Sequence, residues 1–517
     1  MKTKDWFIIV GGVLFAYLFY KQAAGLNYLV YTLFVVAGLL LSNPKNITNK
    51  RWWLSIAALA VSLCSIVLYG SVVAWVAVLF SLLLIAGYSS NARASAVLNF
   101  IQSSLAVPLS VPNFFRQNHI AAENKRRATG KKTSSYGFVY IIIICIFILF
   151  VLLYSASSTA FSELLKQINF SFISFGWVMC ALLGIFVSFA LLKGRRFKFL
   201  DREETKWGLP LLAPLHPLEG EHAEKNTVEN KAGTLLLVLL NILLLVVNSS
   251  DIAFLAGGVS ANQNLNYSEM VHQGIGALIF SILIAVGIIL YFFRGKLNFD
   301  EKAKTLQVLA LVWMLQNLLL TATGAYKNLL YIDIEDGLTY KRVGVFFYLL
   351  LASIGLLFTA VKVYTKKPNW YLVRVNFTAF FIVLIASSPV DWDVVITSYN
   401  IKQAAQKNED PDIEYLLRLS NRNLPLIEEW MNKAAADPKT LRQYKAWEYN
   451  SLAEKFTNKS VLFNEQYAQK GWQSWNLTDH NNYEYLKGLN YNKYFISLAG
   501  TETIDTLTTP INNGYGN

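Results

Sequence analysis

Residues 305–328 read TLQVLALVWMLQNLLLTATGAYKN, and this stretch decides the fold. It carries no charge before Lys327. A helix needs roughly 20 apolar residues to cross the hydrocarbon core of a bilayer, so the stretch reads as a membrane span. It is also unusually polar for one. Asn317, Thr321, Gly324 and Asn328 fall at i, i+4, i+7 and i+11, which places them on one helical face. Gln316, Thr323 and Lys327 occupy the neighbouring strip. Polar groups are costly inside a bilayer. They mark either helix–helix packing, which is the first reading, or a lined cavity, which is the second.

Ten further apolar runs accompany it, at about 6–20, 27–42, 52–70, 71–88, 136–156, 171–192, 232–248, 271–293, 343–364 and 370–388. The run at 6–20 has the length of a signal-peptide core, but no clear small-x-small site follows Tyr20. The expectation is therefore an all-α polytopic bundle of about eleven spans. Composition agrees, with 54% hydrophobic and 15% charged residues among 517. That excludes a disordered chain and argues against a single soluble globule. No repeat of 20 to 50 residues is visible, which removes solenoids and propellers. Cys64, Cys145 and Cys180 each sit alone in an apolar run, so they read as packing residues rather than a disulfide framework or zinc site.

The net charge of +13 orients the bundle. With the N-terminus cytoplasmic, 28 Lys and Arg fall in inner segments and five in outer loops before residue 389. Retention of Lys and Arg on the cytoplasmic side favours this arrangement and puts residues 389–517 outside. The inner segment 89–135 contains an apolar stretch interrupted by Pro108 and Pro112, then Lys125, Arg126, Arg127, Lys131 and Lys132. It reads as an interfacial segment whose basic cluster binds anionic membrane lipid, with no nucleic-acid role. The inner segment 193–231 holds His216, His222, Glu219, Glu221 and Glu224 around three prolines. Solvated side chains are the first reading there and a metal site the second. No cofactor is expected, since one histidine near an outer span end, His272, cannot supply two haem ligands.

Three regions follow: 1–230 with two basic inner loops, 231–388, and a soluble, mainly helical extracytoplasmic domain at 389–517. In the last, 412–419 and 426–436 have helical spacing with Pro425 as a break, and Asp437-Pro438 opens a third helix to about 458. Trp430, Trp447, Trp472 and Trp475 read as its core, with a carbohydrate surface as the alternative.

Charged residues are nearly absent from span interiors. That argues against a voltage sensor or a pump built on buried carboxylates, and it weakens an ion-coupled transporter. The outer face gathers Glu269, His272 and Gln273 before one span with Asp333, Glu335, Asp336, Lys341 and Arg342 after another. An ion-pair network is the first reading of this cluster and a ligand or acid–base site the second.

These residues also carry a family resemblance. His272-Gln273-Gly274-Ile275-Gly276 resembles one signature of an uncharacterised bacterial multi-pass membrane family, a domain of unknown function of the 4153/4173 type. Gly337-Leu338-Thr339 with Lys341-Arg342 resembles a second. Ser388-Pro389-Val390-Asp391 with Ile396 and Tyr399-Asn400-Ile401 resembles a third. Asp412-Ile413-Glu414-Tyr415-Leu416, Leu419-Ser420 and Leu424-Pro425 resemble a fourth. The likeness runs from near Lys231 to Pro425. His272 stands where the signature has Arg, and the Asp333 to Asp336 stretch is more acidic than the pattern. The resemblance implies the bacterial inner membrane and no particular activity. The leading functional reading is a sensor or assembly scaffold with an envelope protein partner at 389–517. The alternatives are a transferase acting on lipid-linked sugar, for which the first outer loop (21–26) lacks an acid, and a transporter lined by the 305–325 face.

Overall fold

The polar face on 305–328 becomes part of one long helix in a computed structural model whose described residues form helices and no strand. The described residues are 3–110, 174–194, 196–210, 221–257, 267–294, 303–334, 337–437 and 441–496, with isolated positions between 112 and 161. For 221–226 and 267–275 only the backbone is described. The apolar run 136–156 and the basic cluster Lys125, Arg126, Arg127, Lys131 and Lys132 therefore lie outside the described residues or nearly so.

The helices in chain order are α1 (Thr3–Phe19), α2 (Leu26–Ser42), α3 (Lys50–Tyr69), α4 (Val72–Ser90), α5 (Ala96–Ala106) and α6 (Phe175–Leu192). Next come α7 (Lys198–Trp207), α8 (Glu221–Ala256), α9 (Tyr267–Phe292), α10 (Lys304–Ile334), α11 (Tyr340–Thr365) and α12 (Asn369–Ser387). The last five are α13 (Trp392–Lys407), α14 (Ile413–Arg418), α15 (Leu424–Ala436), α16 (Ala446–Ala468) and α17 (Leu477–Leu486).

Every apolar run outside 136–156 forms a helix. Seven helices among the described residues are long and apolar enough to cross a membrane: α3, α4, α6, α8, α10, α11 and α12. The apolar parts of α1 and α2 are shorter, and α9, whose side chains are described only from Gly276, contributes Gly276–Phe292. Helix bounds also exceed the hydropathy runs. Helix α8 spans 36 residues where the run covers 232–248, so at 1.5 Å per residue it is about 54 Å long.

Local chemistry explains the tightest turn. Tyr69 ends α3 and Gly70 takes the left-handed conformation, φ +63°, which a Cβ disfavours. Its N–H returns to the Ile66 carbonyl at 2.9 Å. Ser71 then caps α4 by accepting the Ala74 N–H at 3.1 Å. Two residues thus reverse the chain between two spans.

The chain divides into two compact units. The first comprises Met1–Glu335, Thr339–Asp391 and Lys470–Thr478. It has two apolar cores, one built on α1–α4 and α6 around Trp52, Ile66 and Ile85, the other on α8–α11 around Leu306, Ala310 and Leu356. Hydrogen bonds sort its helix ends. At one end Lys193 pairs with Asp5, Asn43 donates to the Ser89 carbonyl at 2.9 Å, Asn91 donates to Asp201 at 3.0 Å, and the Trp370 indole donates to Glu204 at 3.3 Å. At the other end the Tyr69 hydroxyl donates to the Ser388 carbonyl, and the Leu26 N–H donates to the Trp475 carbonyl at 3.1 Å. Lys45, Lys193 and Arg196, all counted as inner bases, sit at the first of these ends.

Helix α5 covers much of the expected interfacial stretch. It is docked rather than merely laid on a surface: Asn99 and Gln102 are buried, and the Phe100 ring stacks on Phe80 with centroids 4.4 Å apart. Among the described residues Cys64 is exposed and Cys180 half-buried, and Cys145 lies outside the described residues.

The second unit comprises Asp336–Leu338, Trp392–Gln469 and Asp479–Asn517. Asp412 caps α14 by accepting the Tyr415 N–H at 2.9 Å. Pro425 lies in the first turn of α15, where its missing N–H costs nothing, so it starts that helix rather than breaking one. The residues that Asp437 would cap, 438–440, lie outside the described residues. Asp437 itself closes α15, its N–H bonding the Lys433 carbonyl at 3.2 Å. The next helix begins at Ala446 and runs to Ala468, well past 458, because Asp410 holds the intervening loop open. Its Oδ2 accepts the N–H groups of Arg442 and Gln443, each at 2.7 Å. Pro438 lies outside the described residues. Trp430 packs against Tyr444 and Tyr449, whereas Trp447 is exposed, and Trp472 and Trp475 belong to the first unit, where Trp472 lies beside Tyr17.

Candidate functional site

The polar face of α10 divides in two. Thr321 and Asn328 are buried in packing. The Thr321 hydroxyl bonds the Asn317 carbonyl at 2.7 Å, and Asn328 donates to the Arg342 carbonyl of α11 at 3.1 Å. Asn317 and Gly324 instead line a cavity of about 460 Å³ bounded by α8, α9, α10 and α11. Both readings of the face therefore describe part of it. A Cβ added at Gly324 would meet only Leu278 methyls, at 3.8 Å, so the missing side chain is cavity space. The walls are mostly apolar, with Leu240, Leu244, Leu278, Trp313, Leu320 and Leu349 among them. The volume lies inside the range of small-molecule sites, about 300–1,000 Å³.

The neighbouring strip of α10 docks against α8 through a ladder of polar side chains. Gln316 donates to Asn241 at 2.9 Å, Asn241 donates to the Leu309 carbonyl at 3.1 Å, and Asn248 donates to the Gln316 carbonyl at 3.1 Å. The last rung is ionic. Lys327 Nζ stands 2.6 Å from Asp251, whose other oxygen accepts the Thr323 hydroxyl at 3.4 Å. Both ions line the cavity and are only partly exposed, 26% for Lys327 and 19% for Asp251.

Asp251 escapes a hydropathy reading because the apolar run stops at 248 while the helix continues to Ala256. The signal was present as spacing. Asn241, Asn248 and Asp251 repeat at i, i+7 and i+10, one face of α8, opposite Gln316, Thr323 and Lys327 at i, i+7 and i+11.

Of the outer-face cluster, Glu335 and Asp336 lie outside the described residues, and the side chains of Glu269, His272 and Gln273 are not described. Asp333 and Lys341 are exposed. Arg342 is buried with its guanidinium 4.1 Å from the Tyr331 ring centroid, a cation–π contact. A Cβ at Gly276 would meet nothing within 4 Å, so that glycine does not serve close helix packing. His216 and Glu219 lie outside the described residues, and only the backbone of Glu221, His222 and Glu224 is described. No cluster of metal-ligating side chains occurs among the described residues.

In the second unit the family-like segments meet. Asn400 accepts the Leu338 N–H at 2.6 Å and donates to the Leu338 carbonyl at 3.0 Å, gripping one residue by both backbone groups. Gly337, φ +83°, lies so close that its added Cβ would fall 2.4 Å from Asn400 Oδ1. Asp393 is buried and accepts from Ser420 and from the Arg422 guanidinium. Lys459 donates to the Leu417 and Leu419 carbonyls at 2.7 and 2.6 Å. Burial pushes Lys459 down to about 8, against the pull of Asp393. Burial pushes Glu428 up, but hydrogen bonds from Tyr485, Tyr494 and Lys493 outweigh it and hold the carboxyl below its ordinary value.

A family model described as Domain of unknown function (DUF4153) matches residues 33–430. The match begins about 200 residues before the resemblance read from the signatures, which started near Lys231. No curated protein and no solved structure matches the chain.

Proposed function

The chain belongs to this family, and from that premise we propose that it is a multi-pass sensor of the bacterial inner membrane, which reads the occupancy of its cavity through α10 and reports it to the second unit. One observation carries the reading. Helix α10 bears the cavity residues Asn317, Gly324 and Lys327, and the chain enters the second unit three residues past its end, at Gly337-Leu338. There Asn400 holds Leu338 by both backbone groups. A ligand that interacts differently with two states of α10 can shift the equilibrium between them, and the chain beyond that helix is where the change would be read. The basic helix ends face the cytoplasm, and the second unit lies outside, where exposed Trp447 offers a surface to an envelope partner.

A lipid-linked-sugar transferase has less support. Its expected acid would lie in the loop at 21–26, and the polar groups of that loop are engaged by Ser474 and Trp475, with the Ala23 N–H 2.8 Å from the Ser474 hydroxyl.

The test is hydrogen exchange of the Leu338 amide in full-length protein in lipid nanodiscs, with and without Gly324→Phe, which fills the cavity. A several-fold change in the Leu338 rate supports the sensor. An unchanged rate in a variant whose cavity no longer admits ligand sinks it.

A further inference from the structure

The cavity joins two chemistries that rarely share a wall. Half of its lining residues are leucine or tryptophan, which suits hydrocarbon. Among the described residues, one part carries a cation and an anion 2.6 Å apart, with Thr323 steadying the anion. An anionic headgroup that took Lys327 would leave Asp251 without its cation and beside a like charge. A cationic headgroup that took Asp251 would do the same to Lys327. Removing one member of a shielded ion pair costs more than exchanging both partners. A headgroup bearing both signs avoids that cost, because each ion of the pair finds its opposite. Low local dielectric makes the distinction larger than it would be in water.

We infer that the cavity is a selective site for one zwitterionic phospholipid, its phosphate on Lys327, its primary ammonium on Asp251, and one acyl chain along Leu240, Leu278, Leu320 and Leu349. The inference rests on the sensor reading for its purpose, but its chemistry is tested separately. Asn317 lies farther along the same cavity wall of α10, two helical turns and more from Lys327, so it meets chain rather than headgroup.

The experiment uses full-length protein, washed free of lipid in detergent and reloaded in parallel with phosphatidylethanolamine, phosphatidylcholine or phosphatidylglycerol. Native mass spectrometry counts the lipid retained per chain. One phosphatidylethanolamine per chain, kept at least ten-fold over phosphatidylglycerol, is the expected result. Lys327→Met and Asp251→Asn each reduce that preference, and the exchanged pair Lys327→Asp/Asp251→Lys restores it. Equal or better retention of phosphatidylglycerol overturns the inference, as does retention of no lipid. The wild-type comparison decides the matter even if a variant fails to fold. Leu338 amide exchange, read on the same samples, separates the two claims. Phosphatidylethanolamine retention with no change at Leu338 keeps the ligand and rejects the sensor. A change at Leu338 driven equally by phosphatidylglycerol keeps the sensor and rejects the ligand.

Discussion

Gly337→Ala should damage the second unit far more than a surface glycine substitution, and the reason can be divided. The left-handed backbone at φ +83° costs an L-residue about 1–2 kcal/mol. The new Cβ would also stand 2.4 Å from Asn400 Oδ1, which forces the Asn400 side chain away. That breaks its two bonds to Leu338, at 2.6 and 3.0 Å, each worth about 1 kcal/mol. Asn400 is only 4% exposed, so water cannot readily replace them. The total is about 3–4 kcal/mol. In an Asn400→Ala background the 2.4 Å collision disappears, the remaining contact at 3.1 Å is with the flexible end of Gln403, and Gly337→Ala should cost mainly the backbone part, about 1–2 kcal/mol. The coupling between the two positions is therefore about 2 kcal/mol. Opening free energies of the core amides of Ile396, Ile413 and Leu416, from hydrogen exchange of the full-length chain, give all four corners of the cycle. Equal cost of Gly337→Ala in both backgrounds would refute the proposed collision.

Other expectations follow from the same geometry. Lys327→Met should lower the detergent melting temperature, by about 1–2 kcal/mol of stability at its partial exposure, and adding Asp251→Asn should recover most of the loss. A melting temperature that falls further in the double variant would contradict the pairing. Glu428 is held below the ordinary 4.5, so the stability it contributes is full above that pH and is lost as pH falls through its lower folded value. An acid-unfolding profile of the second unit should therefore flatten in Glu428→Gln, and an unchanged profile counts against the role. Ser71→Ala removes the α4 cap and should cost about 1 kcal/mol in the first unit, read as a shift in its thermal unfolding.

Much of the membrane half was legible because hydropathy and caps act locally. Gly70-Ser71 marks its own turn, and the α10 face follows from 3.6-residue spacing alone. What escaped were features that depend on a second element. Asp251 gains meaning only when α8 continues past its apolar run and lays that acid beside Lys327. Asp437-Pro438 has the local pattern of a helix start, but the long helix begins only at Ala446, after a loop whose Arg442 and Gln443 N–H groups are held by Asp410, nearly 30 residues upstream of Asp437. Gly337 and Asn400 stand in two separate signatures, and only the folded chain reveals that one grips the other. Among the described residues seven helices reach spanning length, while α1 and α2 are apolar but shorter, so composition marks them more clearly than length does.

A sensor that carries a signal across the membrane requires its two ends on opposite sides. The direct measurement is labelling of single cysteines, in a chain otherwise free of them, by a membrane-impermeant maleimide. Lys198→Cys, on α7 at the basic end, and Trp447→Cys, on an exposed position of the second unit, are the two sites. The account predicts that Trp447→Cys reacts in intact spheroplasts while Lys198→Cys reacts only after permeabilisation. Reaction of both from the same side would contradict it.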